Sequence, residues 1–206
     1  MSEAMEVSRR DLLVRIGASM SLATMGEGLL PAQDAQHVHH AVAQAKAAQK
    51  GVYQPKALAA HEYATLERLT DLILPADERS PGAVAAGAAA FIDFLCSASA
   101  ELREIYSGGI GWLDAAMQRR HGVDFLGAPA AGQTAMLDLM AYRRNASPEL
   151  NPGIEFFAWA RNMTVDAYYT TPIGVKEIGF LGNGAMAEFS VPKEAVEYAL
   201  KRSGLG

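Results

Sequence analysis

Ile154-Glu-Phe-Phe-Ala-Trp-Ala-Arg-Asn-Met-Thr-Val-Asp-Ala-Tyr-Tyr169, followed directly by Thr170-Thr171-Pro172, is the stretch on which the fold turns. It sets Phe156, Phe157, Trp159, Tyr168 and Tyr169 along one predicted helix. An aromatic stripe at helical spacing is core material rather than a cofactor box, and any part of it that reaches the surface marks a partner interface. Thr171 reads as the cap of the next helix with Pro172 in its first turn. Gly179, Gly182 and Gly184 then stop that helix.

The pattern continues outward on both sides. His61 to Leu74 places Leu66, Leu69 and Ile73 on one stripe, ended by Pro75 and a polar loop to Gly82. Asp77 and Glu78 in that loop read as solvated charges, because nothing brings a nucleophile or a desolvating wall beside them. An alanine-rich helix into Phe91-Ile-Asp-Phe-Leu95 has the small residues that allow close approach, so it is expected at the centre. Glu101 to Gln118 is helical, with Gly108, Gly109 and Gly111 expected to break or bend it before Trp112. Gln133 to Arg144 puts Met136, Leu137 and Met140 on one stripe. After a short extended piece, Glu188 to Val191, a last helix runs from Pro192 to about Arg202. No segment alternates long enough to seed a sheet. The expected class is all-α, a compact orthogonal helical domain over 59–206.

Before that domain, 33–58 reads as a polar helical stalk or linker, alanine- and glutamine-rich with little to pack. His37, His39 and His40 lie in it, but on a helix His39 points away from the other two and no carboxylate or cysteine stands at ligand spacing. No metal is expected there. Residues 1–32 read as a twin-arginine export signal helix: Ser8, Arg9, Arg10, Leu12 and Leu13 supply its receptor-read element, and a weakly apolar stretch interrupted by Arg15 and Glu27 follows. Leu30-Pro31-Ala32 ends in a small residue without a second one two positions earlier, and does not fix a cleavage point.

Composition narrows the function. At 206 residues, 50% hydrophobic and a net charge of −5, the chain suits one domain and lacks the positive field that nucleic acid demands. Its lone Cys96 excludes an internal disulfide, and its apolar neighbours suggest a buried, inert thiol. No dinucleotide fingerprint, phosphate loop or covalent haem motif is present. No catalytic, cofactor-binding or metal-binding residue stands out. An exported chain without recognisable chemistry is expected to serve another protein.

Several segments together resemble one family. Leu69-Thr-Asp-Leu-Ile-Leu-Pro-Ala-Asp77, Ser80-Pro-Gly-Ala83 and Ala90-Phe-Ile-Asp-Phe-Leu95 are followed by Gly111-Trp-Leu-Asp-Ala-Ala116 and Asp124-Phe125. The strongest part is Phe156 to Arg161, then Tyr168-Tyr-Thr-Thr-Pro-Ile-Gly174, Lys176-Glu-Ile-Gly-Phe180 and Gly182-Asn183. Over roughly 60 to 185 the chain is similar to the gluconate 2-dehydrogenase subunit 3 family. The resemblance implies a non-catalytic small subunit of an exported sugar or glycoside dehydrogenase in the periplasm, membrane-associated at most through its complex. Its partners would be a large FAD-containing subunit of the glucose-methanol-choline type, a c-type cytochrome carrying haem c, and the twin-arginine translocase. The small subunit would lend its signal to the folded flavoprotein, and Phe157, Tyr168, Tyr169, Pro172 and Phe180 are the expected docking residues. The rival readings are a stand-alone periplasmic oxidoreductase or hydrolase and a helical binding module with no flavoprotein partner.

Overall fold

The structure, a computed structural model, describes residues 32–180 and 191–203. The export segment with Ser8, Arg9, Arg10, Leu12 and Leu13, and Glu188 to Ser190 of the expected extended piece, lie outside the described residues. Among the described residues every regular element is a helix. They are α1 (Ala32–Ala48), α2 (Ala60–Ile73), α3 (Gly82–Ala86), α4 (Ala88–Ala98), α5 (Ala100–His121), α6 (Ala130–Met140), α7 (Asn151–Tyr169), α8 (Pro172–Glu177) and α9 (Lys193–Ser203), with a 3-10 turn at Arg143–Asn145.

The alanine-rich helix is the centre, as the sequence suggests. Ala88 through Cys96 are all buried on α4, which touches α1, α2, α5 and α7. The alanines of its first turn, Ala88, Ala89 and Ala90, let neighbours come close, while Phe91, Ile92 and Leu95 after them fill the space around the helix, each worth roughly 1.5–3 kcal/mol of burial. Cys96 is buried among them, and withdrawal from water pushes its thiol up to about 12.

Two expectations are corrected. The first is the break in α5, which instead runs unbroken from Ala100 to His121. Gly109 is where α7 packs: a Cβ there would lie 2.1 Å from the Phe156 ring. The exchange is mutual, since a Cβ on Gly153 of α7 would lie 2.1 Å from the Trp112 ring of α5. Packing outweighs the ~1 kcal/mol helix penalty of glycine. The second concerns the stalk. Ala35, Val38 and Val42 of α1 are buried, at 0%, 1% and 6% exposure, and α1 packs on α4. A stripe of small residues gains by close contact rather than by bulk.

The connection from α1 to α2 is held by one carboxylate. Asp93, fully buried on α4, accepts from the Tyr53 hydroxyl (2.8 Å) and from the backbone N–H of Lys56 (2.7 Å), Ala57 (3.1 Å) and Leu58 (2.8 Å). Four donors replace the water that the carboxylate gave up. On α1 itself His39 rests on the Phe91 ring, centroids 4.7 Å apart, and its Nε2 meets Thr170 Oγ1 at 2.8 Å. His40 instead pairs with Gln44, and His37 is exposed.

Candidate partner interface

Two sequence-distinctive segments, the loop after α2 and the α7–α8 corner, meet in space. Gly82 closes the loop with a φ of +75°, and a Cβ there would lie 2.6 Å from the Ala76 nitrogen, so both conformation and space demand glycine. This tight return aims Ser80 inward, where it is 6% exposed. A directional chain of hydrogen bonds follows. The Gly82 N–H donates to Ser80 Oγ (3.2 Å), Ser80 Oγ–H donates to the Tyr168 oxygen (2.5 Å), and the Tyr168 O–H donates to Glu177 Oε2 (2.5 Å). Loss of water, then the Glu177 carboxylate accepting its proton, hold the Tyr168 phenol above its ordinary range. The neutral phenol is therefore a fixed strut between loop, α7 and α8.

The corner has its own local logic. Thr171 caps α8 by accepting from the Gly174 N–H (3.2 Å), and its hydroxyl donates to the Tyr168 carbonyl (2.6 Å). Gly174 is required by crowding, since a Cβ would lie 2.4 Å from the Tyr168 carbonyl oxygen. Gly179 is required by conformation, with a φ of +65° and open space around it. The N–H of Gly179 reaches the Lys176 carbonyl (3.1 Å) and that of Phe180 the Val175 carbonyl (3.2 Å). This paired stop is the Schellman pattern, and it fixes the backbone of Phe180 relative to α8. The outcome is an apolar corner held out to solvent: Pro172 is exposed, Ile178 is 60% exposed and Phe180 55%.

The expected docking residues therefore separate into two groups. Phe157, at 8% exposure, and Tyr168, at 0%, belong to the interior and offer no free surface for docking, a correction to that expectation. Burial follows from their places on α7: Phe157 lies beside Phe156 and Ala160 on the core side, and Tyr168 is consumed by the Ser80–Glu177 chain. Tyr169 is half-buried with its ring edge against Tyr168, while Pro172 and Phe180 stand at the surface. Sequence reasoning missed Ser80, Glu177 and Ile178. A hydroxyl in a proline-glycine loop and a glutamate on a short helix look solvated until the fold joins them. Asp77 does stay at the surface, turning the loop by accepting from the Arg79 and Ser80 N–H groups, and these backbone bonds hold its carboxyl below the usual range.

A second surface feature runs along α7, an open groove of about 670 Å³ whose lining mixes apolar side chains such as Ile154 and Trp159 with polar ones, among them Asn151, Glu155, Arg161 and Asn162. No described helix is long and apolar enough to cross a membrane. No curated protein and no solved structure gives a match to this chain. The family profile described as gluconate 2-dehydrogenase subunit 3 matches residues 60–186, which takes in α2 through α8 and both segments that build the corner. That match covers more than half of the sequence, and the chain belongs to the gluconate 2-dehydrogenase subunit 3 family, a family of small subunits of dehydrogenase complexes.

Proposed function

We propose that this chain is the non-catalytic small subunit of an exported FAD-dependent sugar or glycoside dehydrogenase, and that it supplies the export signal and stabilises the flavoprotein subunit. The observation that carries the reading is the family match over residues 60–186. Two features support the finer parts. Arg9-Arg10 in Ser8-Arg-Arg-Asp-Leu-Leu13 is the pattern of a signal that exports proteins already folded, which suits a cofactor-loaded partner. The corner at Pro172, Ile178 and Phe180 presents apolar side chains on a hydrogen-bonded support, and preorganised apolar anchors are what a stable subunit contact uses. In this reading the large FAD-containing subunit covers the corner, a c-type cytochrome with haem c takes the electrons, and the complex works in the periplasm after passing the twin-arginine translocase.

The test is the fate of the partner. Exchanging Arg9→Lys and Arg10→Lys together should leave the dehydrogenase in the cytoplasm, followed by sugar-dependent dye reduction in separated fractions. Undiminished periplasmic activity sinks the escort role. Ile178→Asp with Phe180→Asp should leave export of this chain intact and lower the flavin that co-purifies with it. Unchanged flavin places the contact elsewhere.

A further inference from the structure

Glu177, the last residue of α8, is an exposed carboxylate that the interior already holds in place. Its Oε2 accepts the Tyr168 O–H at 2.5 Å, and Tyr168, itself 0% exposed, is tied through Ser80 to the loop that Gly82 closes. A free surface glutamate gives up its rotamers only when a partner arrives, whereas here much of that ordering is complete beforehand. The setting is apolar. Ile178 follows directly, Pro172 and Phe180 stand at the same corner, and all three are exposed. Among the described residues no cation makes an ion pair with Glu177, its exposed neighbour Lys176 included.

The acceptor count says what can still bind. A carboxylate offers about four lone-pair positions, and the Tyr168 phenol uses one of them. Both oxygens therefore keep room, and a forked donor can bridge them. A cation brought to this corner must leave water for a surface of proline, isoleucine and phenylalanine. An ammonium is compact and strongly hydrated, so it resists that move. A guanidinium is planar and weakly hydrated, forks onto a carboxylate and lies flat on an aromatic ring. Phe180, whose backbone the turn at Gly179 fixes, supplies an exposed ring at the same corner.

We propose that Glu177 is the charged anchor of the corner and takes an arginine side chain of the large subunit, with Tyr168 as its positioning residue. The inference rests on the reading of the corner as that subunit's seat and adds the chemistry the partner must bring. The apolar residues supply contact area, while a carboxylate fixed at one point sets the register. A partner with no cation there would cover the charge and leave it unpaired, which selects against the wrong surface.

The test uses the full chain, isolated through a tag from the cells that make it, and follows by flavin absorbance the flavoprotein released from the immobilised complex. Glu177→Gln keeps an oxygen for the Tyr168 O–H and removes the charge, and release should quicken about thirtyfold. Tyr168→Phe keeps the charge but frees it, and release should quicken about fivefold, the effect of ordering one side chain on binding. In the Glu177→Gln background Tyr168→Phe should add nothing, which a merely structural role would not give. Glu104→Gln, the same change at an exposed site on α5, should stay within about twofold of the parent. To identify the cation, stripped flavoprotein is treated with phenylglyoxal, which caps guanidinium groups, or acetylated at its lysines, and then rebound. Phenylglyoxal should close the gap between the parent and Glu177→Gln rates, and acetylation should leave it open. If the parent chain brings no flavoprotein, the reading of the corner fails and this inference with it. If flavoprotein is bound but parent and Glu177→Gln release it equally, or acetylation closes the gap instead, only the arginine anchor is overturned.

Discussion

Helices α1 and α9 flank the family-matched residues 60–186, and a glance at their sequences ranks them the wrong way round. α9 alternates charges with Val196 and Leu200 and has the look of a helix made for packing, yet none of its residues is buried. α1 offers mostly alanine, glutamine and histidine, yet Ala35, Val38 and Val42 are sealed against α4. What separates them is the partner surface. α1 lies along α4 with His39 on the Phe91 ring, and the gain of its small stripe comes from close contact rather than from large side chains of its own. Amphipathicity states that a helix has a face to bury; it does not say whether a surface of matching relief waits for it.

The strongest way to break the contrast is to cut the clamp that delivers α1. Asp93→Ala removes the acceptor for three backbone N–H groups and the Tyr53 hydroxyl, of which the Tyr53 hydroxyl and the Leu58 N–H are buried and the Lys56 and Ala57 N–H groups partly so. Leaving even one or two of them unpaired should cost about 3 kcal/mol or more, read as a lower denaturant midpoint at unchanged slope. A loss under about 1 kcal/mol would mean that the 53–58 connection is not what fastens α1. A matched pair of truncations comes next. Val38→Ala should cost about 1–3 kcal/mol, because it opens a void against α4, while Val196→Ala should stay within about 0.5 kcal/mol of the parent. Similar values for the two would erase the difference between the helices.

The pattern of what sequence could and could not tell follows from distance along the chain. The central place of α4, the aromatic core of α7 and the Thr171 cap were legible because each depends on residues within a few positions: small-then-large spacing, helical periodicity, a hydroxyl before proline. The corner was half legible. Pro172 and Phe180 could be picked from the motif, but Tyr168 is occupied by Ser80, 88 positions away, and that partner has no local signature. Gly109 was misread for the same reason. Glycine inside a helix signals a bend only if nothing packs there, and Phe156 arrives from another element. The clamp at Asp93 is the clearest case, since an aspartate amid Phe91, Ile92, Phe94 and Leu95 advertises a buried charge without naming the donors that settle it.

A smaller effect sharpens the contrast by pH. Thr170 donates its own proton to the Asp166 carbonyl (2.5 Å), so its oxygen receives from His39 Nε2–H, and burial lowers the pKa of the ring. A base whose folded pKa is lowered binds fewer protons folded than unfolded. Its contribution is therefore complete above the ordinary 6.5 and shrinks as pH falls through the lower folded value. Protonation leaves the bond to Thr170 in place, so the cost is that of charging a half-buried ring and should be below that of Val38→Ala. Protection of the α1 amides, taken relative to their intrinsic exchange at each pH, should fall between pH 7.5 and pH 5, His39→Gln should flatten that response, and α9, which has no histidine, should not show it. An equal loss of protection in α9 would point to a general acid effect instead.

The smallest effect has the opposite sign and so tests the reasoning most closely. His61 on α2 donates from Nε2 to Asp114 Oδ2 of α5 at 2.7 Å, while the other oxygen of that carboxylate receives the Phe125 N–H at 3.0 Å. The carboxylate accepting its proton raises the His61 pKa, so the folded state holds the proton longer than the unfolded chain does. The added stability is fully present below about 6.5 and fades as pH rises through the raised value, the reverse of His39. With the His61 side chain 47% exposed, solvent screens most of the attraction, and added salt should weaken it further. A proton-resonance titration of the ring signals should place the His61 midpoint above 6.5 and the His39 midpoint below it, with Asp114→Asn drawing only His61 back toward 6.5. Midpoints on the same side would remove the distinction between a histidine held by burial at the α1 seat and one held by a carboxylate at the rim, because the two environments shift the same equilibrium by opposed physical causes.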